Sequence, residues 1–175
     1  MVARRKTPGA LSRRDFFGDL ADAARRELPL DRQDFETRQT MNLLKVHYGA
    51  NYRIHYEVWI NAEKGQVEVG LHFEDGPAST ERLLAHFDLS ILEIKHELGA
   101  QVELERWTRS WGHLFELHEV EPLTPQFAER LAGRLVRFID VLQPLLDEGY
   151  ERGLAPRTPH PSTFHERFRG RGRRG

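Results

Sequence analysis

The clearest pattern in the chain is an alternation of apolar and polar residues between positions 52 and 74. Every second residue from Tyr52 to Ile60 is apolar, and after a turn at 61–65 the alternation resumes from 66 to 74. A period of two is typical of a strand with one buried face. The two segments therefore predict a β-hairpin with one apolar and one polar face.

A similar pair of segments follows at 101–109 and 112–120, and it predicts a second hairpin. Apolar residues at helical spacing occupy the rest of the chain body. They predict four helices, at residues 12–28, 32–44, 79–98 and 127–145. Ser12 and Ser79 are the expected N-caps, and Pro144 is expected to kink or end the last helix.

The order of these elements predicts an α+β fold. Two ββα units are expected to form a four-stranded antiparallel sheet with helices on one face, preceded by one or two N-terminal helices. We expect three regions along the chain. They are a disordered basic N-terminus at 1–11, a single α+β domain at 12–152, and a disordered basic tail rich in Pro, Arg and Gly at 153–175.

The formal net charge of −1 is an average over unlike regions. Residues 1–14 carry five basic side chains and no acid, and residues 157–175 carry six arginines against Glu166, which leaves −11 for the body. Basic ends of this kind can contact phosphate backbones electrostatically. The candidate nucleic-acid residues are Arg167, Arg169, Arg171, Arg173 and Arg174.

The segments Tyr56–Ile60, Glu93–Gly99, Val102–Trp107 and Leu142–Leu145 resemble an uncharacterised bacterial domain family. That family is often fused to restriction-endonuclease-like nuclease domains, and the resemblance covers about residues 56–146. It implies an accessory domain close to nucleic-acid enzymes and supplies no catalytic residues.

Several catalytic chemistries find no support in the sequence. The chain has no cysteine, which excludes thiolate metal sites and a cysteine nucleophile. It has no phosphate-binding glycine loop after a strand and no nucleophile elbow. Asp88, Glu93 and Lys95 have nuclease-like spacing, but helical periodicity would point Glu93 and Lys95 apart. We therefore expect no catalytic residues and no cofactor.

The polar face of the predicted sheet carries the most informative residues. Alternation places five imidazoles and carboxylates there, together with Trp59, and the second hairpin adds Glu103, Glu105 and Trp107. Such groups can bind Zn²⁺ or a similar cation, or can form cross-strand charge pairs. The five candidate residues for a polar or metal-binding face are His55, Glu57, Glu68, His72 and Glu74.

The tryptophans suggest a surface that another molecule covers. Trp59, Trp107 and Trp111 are interface candidates, as are Phe16 and Phe17, whose apolar stripe is expected to pack on the body or on a second protomer. We expect a non-enzymatic interaction domain that forms a homodimer through the sheet face. Two alternatives stay open: a nucleic-acid-associated accessory protein that uses its basic termini, and a metal-dependent enzyme on the sheet face.

The location of the protein follows from its N-terminal pattern. Residues Ser12–Phe17 resemble a twin-arginine export motif, which requires an apolar segment directly after it. The following residues, 18–27, are instead rich in charged side chains. The sequence therefore predicts a cytoplasmic protein without a membrane partner.

Overall fold

Four helices and a six-stranded antiparallel sheet make up the described chain, so the α+β class is confirmed. The structure is a computed structural model that describes residues 9–159. The helices are α1 (Arg13–Glu27), α2 (Pro77–Asp88), α3 (Ile91–Leu98) and α4 (Pro125–Glu151). The strands are β1 (Glu36–Gln39), β2 (Leu43–His47), β3 (Ile54–Asn61), β4 (Gln66–Phe73), β5 (Glu103–Arg106) and β6 (Gly112–Glu119).

The sheet consists of three hairpins joined side by side. Its strand order is β1-β2-β3-β4-β6-β5, and all neighbouring strands are antiparallel. Because β6 rather than β5 lies beside β4, the third hairpin places β5 at one edge and β1 forms the other edge. Strands β3, β4 and β6 are the longest, with eight residues each, and they form the centre of the sheet.

The predicted four-stranded sheet is wrong because residues 32–44 do not form a helix. This segment ends in β1 and the start of β2, which add two strands beside β3. Phe35 and Leu44 are buried, whereas Met41, assigned to the same helical stripe, is 75% exposed. Pairing of β2 with β3 satisfies the backbone of the segment, and such long-range contacts override a thin helical pattern.

The helix predicted from Ser79 to Leu98 is two helices. Gly76, with φ of 89°, precedes α2, and Pro77 is its first residue, so the helix begins before Ser79. The chain leaves α2 at Leu89, which is 80% exposed, and α3 begins at Ile91. Proline is favoured in the first helical turn because no N–H is needed there, which explains the early start.

Pro144 does not end the last helix, which continues to Glu151. The side chains of Leu142 and Leu146 are buried on either side of the proline. Next to it, Gln143 accepts a hydrogen bond of 3.1 Å from Tyr56 of β3. We attribute the continuity of α4 to this packing against the sheet, which compensates for the backbone donor that proline lacks.

The helices cover the apolar face of the sheet. Helices α2 and α4 contact its strands directly, and α1 and α3 pack against α4. Phe16 and Phe17 of α1 have no exposed surface, and the ring centroids of Phe16 and Phe127 are 5.6 Å apart. Both phenylalanines therefore belong to the core of this chain, and they are unsuitable as interface residues. Their burial agrees with the expectation that the stripe packs on the body.

A buried ion pair connects α4 to β6. Arg134 donates two hydrogen bonds to the carboxylate of Glu116, at 2.7 and 2.6 Å, and a third to the carbonyl of Leu98. Gln101 also donates to Glu116, at 3.0 Å. The Glu116 side chain is only 1% exposed. This arrangement holds a charged group on the apolar face with its oxygens fully used.

Candidate functional site

Three histidines lie side by side across the polar face, one on each of the three central strands. The register pairs His55 of β3 with His72 of β4, and His72 in turn with His113 of β6. At most 4% of each residue is exposed. Buried imidazoles require partners for their ring nitrogens. This histidine row (His55, His72 and His113) is the centre of the candidate site.

The carboxylate of Glu68 joins two members of the histidine row. Its Oε1 atom lies 2.8 Å from His72 Nε2 and 3.0 Å from His113 Nδ1. Glu68 and His72 are four residues apart on one strand and therefore share a face. The second ring nitrogen of His113, Nε2, lies 3.0 Å from Oε1 of Glu105 on β5.

Two further carboxylates and a lysine surround the β3 end of the row. His55 Nε2 lies 3.3 Å from Glu57 Oε2 and 4.0 Å from Glu74 Oε1. The same Glu74 oxygen lies 3.8 Å from His72 Nδ1. From β2, the Nζ atom of Lys45 approaches Glu74 to 3.1 Å and Glu57 to 3.6 Å. Lys45 therefore supplies positive charge to both carboxylates.

Burial and hydrogen bonding oppose each other in this cluster. Burial by itself raises the pKa of Glu68, but hydrogen bonds from His113 and His72 outweigh it and bring the pKa to about 2. Burial lowers the pKa of His113, yet hydrogen bonds to Glu68 and Glu105 outweigh that effect and raise it. Burial lowers the pKa of His55. Glu68 is therefore ionised at neutral pH.

Aromatic rings enclose the β6 end of the histidine row. His113 stacks on Phe115, with ring centroids 4.0 Å apart, and on Trp107, at 5.5 Å. Trp107 contacts Trp111 at 5.9 Å, and these two tryptophans are 48% and 41% exposed. A Cβ atom at Gly70, opposite Phe115, would lie 2.8 Å from that residue's Cβ. Glycine at this position therefore permits the close approach of β6.

The structure brings together the five residues predicted for the polar or metal-binding face. Together with His113 they form two groups, and within each group the ligand atoms all lie within 4.8 Å of one another. We call the groups the three-ligand set and the four-ligand set, and His72 belongs to both. The three-ligand set is Glu68, His72 and His113; the four-ligand set is His55, Glu57, His72 and Glu74.

The interface candidates do not form one patch. Trp59 is on β3 and pairs with Glu68 of β4. Trp107 and Trp111 lie at the turn between β5 and β6, beyond the histidine row. The tryptophans therefore occupy two separate places on the face. The arginine candidates for nucleic-acid binding all lie outside residues 9–159: Arg167, Arg169, Arg171, Arg173 and Arg174.

Sequence reasoning missed His113 and Lys45. Glu105, which alternation does assign to the polar face, pairs directly with His113 across the second hairpin. Alternation continued through the turn between β5 and β6 would have placed His113 on the same face as Glu105. Lys45 gave no such signal, because it directly follows the segment 32–44 that was predicted to be helical, and no strand was predicted there.

Comparison with known proteins assigns no family to this geometry. No model of a known protein family, no curated protein and no solved structure matches the chain. The resemblance to a nuclease-fused domain family thus stays a prediction. In the part of the chain that the structure describes, no helix is both long enough and apolar enough to cross a membrane.

Proposed function

We propose that this protein binds a divalent transition-metal ion on the polar face of its sheet, through the three-ligand set. The observation that carries the proposal is the position of one Glu68 oxygen, within 3.0 Å of ring nitrogens of both His72 and His113 in a buried setting. Imidazole nitrogens and a carboxylate oxygen are the ligands that Zn²⁺, Fe²⁺, Ni²⁺ and Cu²⁺ prefer.

The spacing of these atoms suits such an ion. Metal–ligand bonds of about 2.0–2.1 Å in tetrahedral geometry place neighbouring ligand atoms roughly 3.3 Å apart. The distances of 2.8 and 3.0 Å around Glu68 need to open by only a few tenths of an ångström. Glu105 supports the arrangement because its carboxylate accepts a hydrogen bond from Nε2 of His113. Metal-binding histidines usually have such an acceptor at the ring nitrogen that does not bind the metal.

We expect the full chain, purified without a polyhistidine tag and dialysed against a chelator, to bind at least one Zn²⁺. Zinc at about 100 times its dissociation constant should stabilise the fold by about 2.7 kcal/mol and raise the melting temperature by roughly 5–10 °C. Calorimetric titration and thermal unfolding measure these effects. Glu68→Gln should weaken zinc binding at this set by about 100-fold or more, because a lost ligand exceeds a lost outer partner in effect.

His96→Ala is the matched control, since His96 is an exposed histidine on α3, away from the sheet face. It should leave zinc affinity and stoichiometry unchanged. If the wild-type protein takes up no zinc and its melting temperature is unchanged, the proposal is wrong and the cluster is a network of ion pairs.

A second proposal concerns the exposed pair Trp107 and Trp111. We propose that this pair is the centre of a contact between two copies of the chain, as the interaction-domain hypothesis requires. Its support is the exposure of two touching indole rings beside the charged side chains of Glu105 and Arg106. Interfaces are enriched in aromatic residues at their centre, with polar residues around them.

Light scattering after size exclusion tests this contact. The wild type should be a dimer at tens of micromolar, and Trp107→Ala should weaken association by about 2 kcal/mol, roughly 30-fold in the dissociation constant. Leu89→Ala removes an apolar side chain elsewhere that is even more exposed than Trp107, and it should leave the dimer intact. A monomeric wild type at that concentration would refute the proposal.

A further inference from the structure

His72 differs from the other two members of the histidine row in that both of its ring nitrogens face candidate ligands. Nε2 lies 2.8 Å from Glu68, in the three-ligand set. Nδ1 lies 3.8 Å from Glu74, in the four-ligand set. The Nδ1 atom is fully buried, and within residues 9–159 it has no hydrogen-bond partner. A bound cation would give this buried nitrogen, which faces a carboxylate, the partner that buried polar groups require.

The two outer histidines are held differently, each by an oxygen on the side away from the metal-binding atoms. His55 Nδ1 lies 3.0 Å from the backbone carbonyl of Tyr52 and donates to it, so its Nε2 lone pair faces Glu57 and Glu74. His113 uses Nε2 toward Glu105 and presents Nδ1 to Glu68. An oxygen acceptor behind the ring is the usual support of a metal-binding histidine.

We propose that His72 bridges two divalent metal ions, one in each ligand set. The inference rests on the proposed function and extends it from one ion to two. The four-ligand set offers four ligands, the number found in structural zinc sites, whereas the three-ligand set offers three, the number found in catalytic sites. With bonds of about 2.0 Å to both ring nitrogens, the ions would lie roughly 6 Å apart.

Charge and protons balance in this arrangement. A bridging imidazole loses its remaining N–H proton to solvent and becomes an anion. The carboxylates of Glu57, Glu68 and Glu74, together with this anion, carry four negative charges, equal to the positive charge of two divalent ions. Lys45 borders the four-ligand set and Glu105 borders the three-ligand set, and their opposite formal charges cancel in the sum. The buried cluster is therefore close to neutral when both ions are bound, which lowers the cost of burying them.

The number of zinc ions bound per chain tests the bridge, by titration and by elemental analysis after gel filtration. Wild type should bind two. His55→Ala should remove the ion of the four-ligand set and His113→Ala the ion of the three-ligand set, leaving one each. His96→Ala should keep both. Circular dichroism establishes that each variant is folded before its stoichiometry is compared.

Copper gives a readout of the bridge itself. With two Cu²⁺ bound per chain, an imidazolate bridge couples their spins, so the electron paramagnetic resonance signal should integrate to well below two spins. His55→Ala, with one Cu²⁺, should restore an ordinary single-ion signal. Two uncoupled copper ions in the wild type would overturn the bridge.

The outcomes separate this inference from the proposed function. If wild type binds one zinc that His113→Ala removes and His55→Ala retains, the single-ion site stands and the bridge is wrong. If wild type binds no zinc, both proposals fail together.

Discussion

Replacing Phe16 and Phe17 together by alanine is expected to lower the free energy of unfolding by about 6–8 kcal/mol. Both side chains have no exposed surface, and each buried Phe→Ala change costs roughly 3–5 kcal/mol through lost burial and the cavity left behind. The two rings touch, with centroids 5.8 Å apart, so their costs are not independent. Domains have stabilities of about 5–15 kcal/mol, so this loss is a large fraction of the total.

Urea unfolding followed by circular dichroism measures this loss, with the single variants Phe16→Ala and Phe17→Ala bracketing the double one. Leu30→Ala is the matched control, because Leu30 is apolar but 86% exposed. Its effect should stay within about 0.5 kcal/mol. A double variant that unfolds at the wild-type urea concentration would show that α1 is detached from the core.

The second large effect is expected at Glu116, whose replacement by glutamine should cost about 3 kcal/mol at neutral pH. Burial raises the pKa of this carboxyl, but hydrogen bonds from His118, Arg134 and Gln101 outweigh it and bring the pKa to about 2 from an ordinary value of 4.5. Each pKa unit corresponds to about 1.4 kcal/mol. Removing one partner of a buried ion pair costs a similar roughly 3–5 kcal/mol.

The stability that Glu116 contributes depends on pH. Because the folded pKa of Glu116 is depressed, its contribution is fully present above about pH 4.5 and is lost as the pH falls toward about 2. The stability difference between wild type and Glu116→Gln should therefore shrink across that window. Glu121→Gln, in an exposed pair with Arg130, should cost less than about 1 kcal/mol throughout. A Glu116 difference that is unchanged at pH 3 would contradict the assignment.

The local pattern of apolar residues predicted a helix or strand correctly where that element has one clearly apolar face. Ser12 does cap α1, accepting a hydrogen bond of 3.1 Å from the backbone of Asp15, and the β3–β4 hairpin forms where alternation placed it. The helix predicted at residues 32–44 is wrong because apolar residues are sparse there. The strand pairing that stabilises the segment comes from β3, which lies beyond it in the chain. Tertiary contacts of this kind leave no trace in local periodicity.

The sequence predicts which side chains share the polar face of the sheet, but not which of them lie close enough together to form a site. Alternation places His55, Glu68 and His72 on one side of a hairpin, since the side-chain period of a strand is fixed. It does not give the register between β4 and β6, which are separated by two helices and a strand in the chain. That register alone brings His113 beside His72. The proposed ligand set therefore required the structure.

The two edge strands have a consequence for how the protein behaves at high concentration. Strands β1 and β5 contain four residues each, and both are largely exposed and rich in charge, as Glu36, Arg38, Glu105 and Arg106 illustrate. Short charged edges oppose the addition of a strand from a neighbouring molecule, the step by which sheets grow into aggregates. The sheet is thus protected against fibril-like extension at both ends, and contacts between copies are directed to its faces and turns.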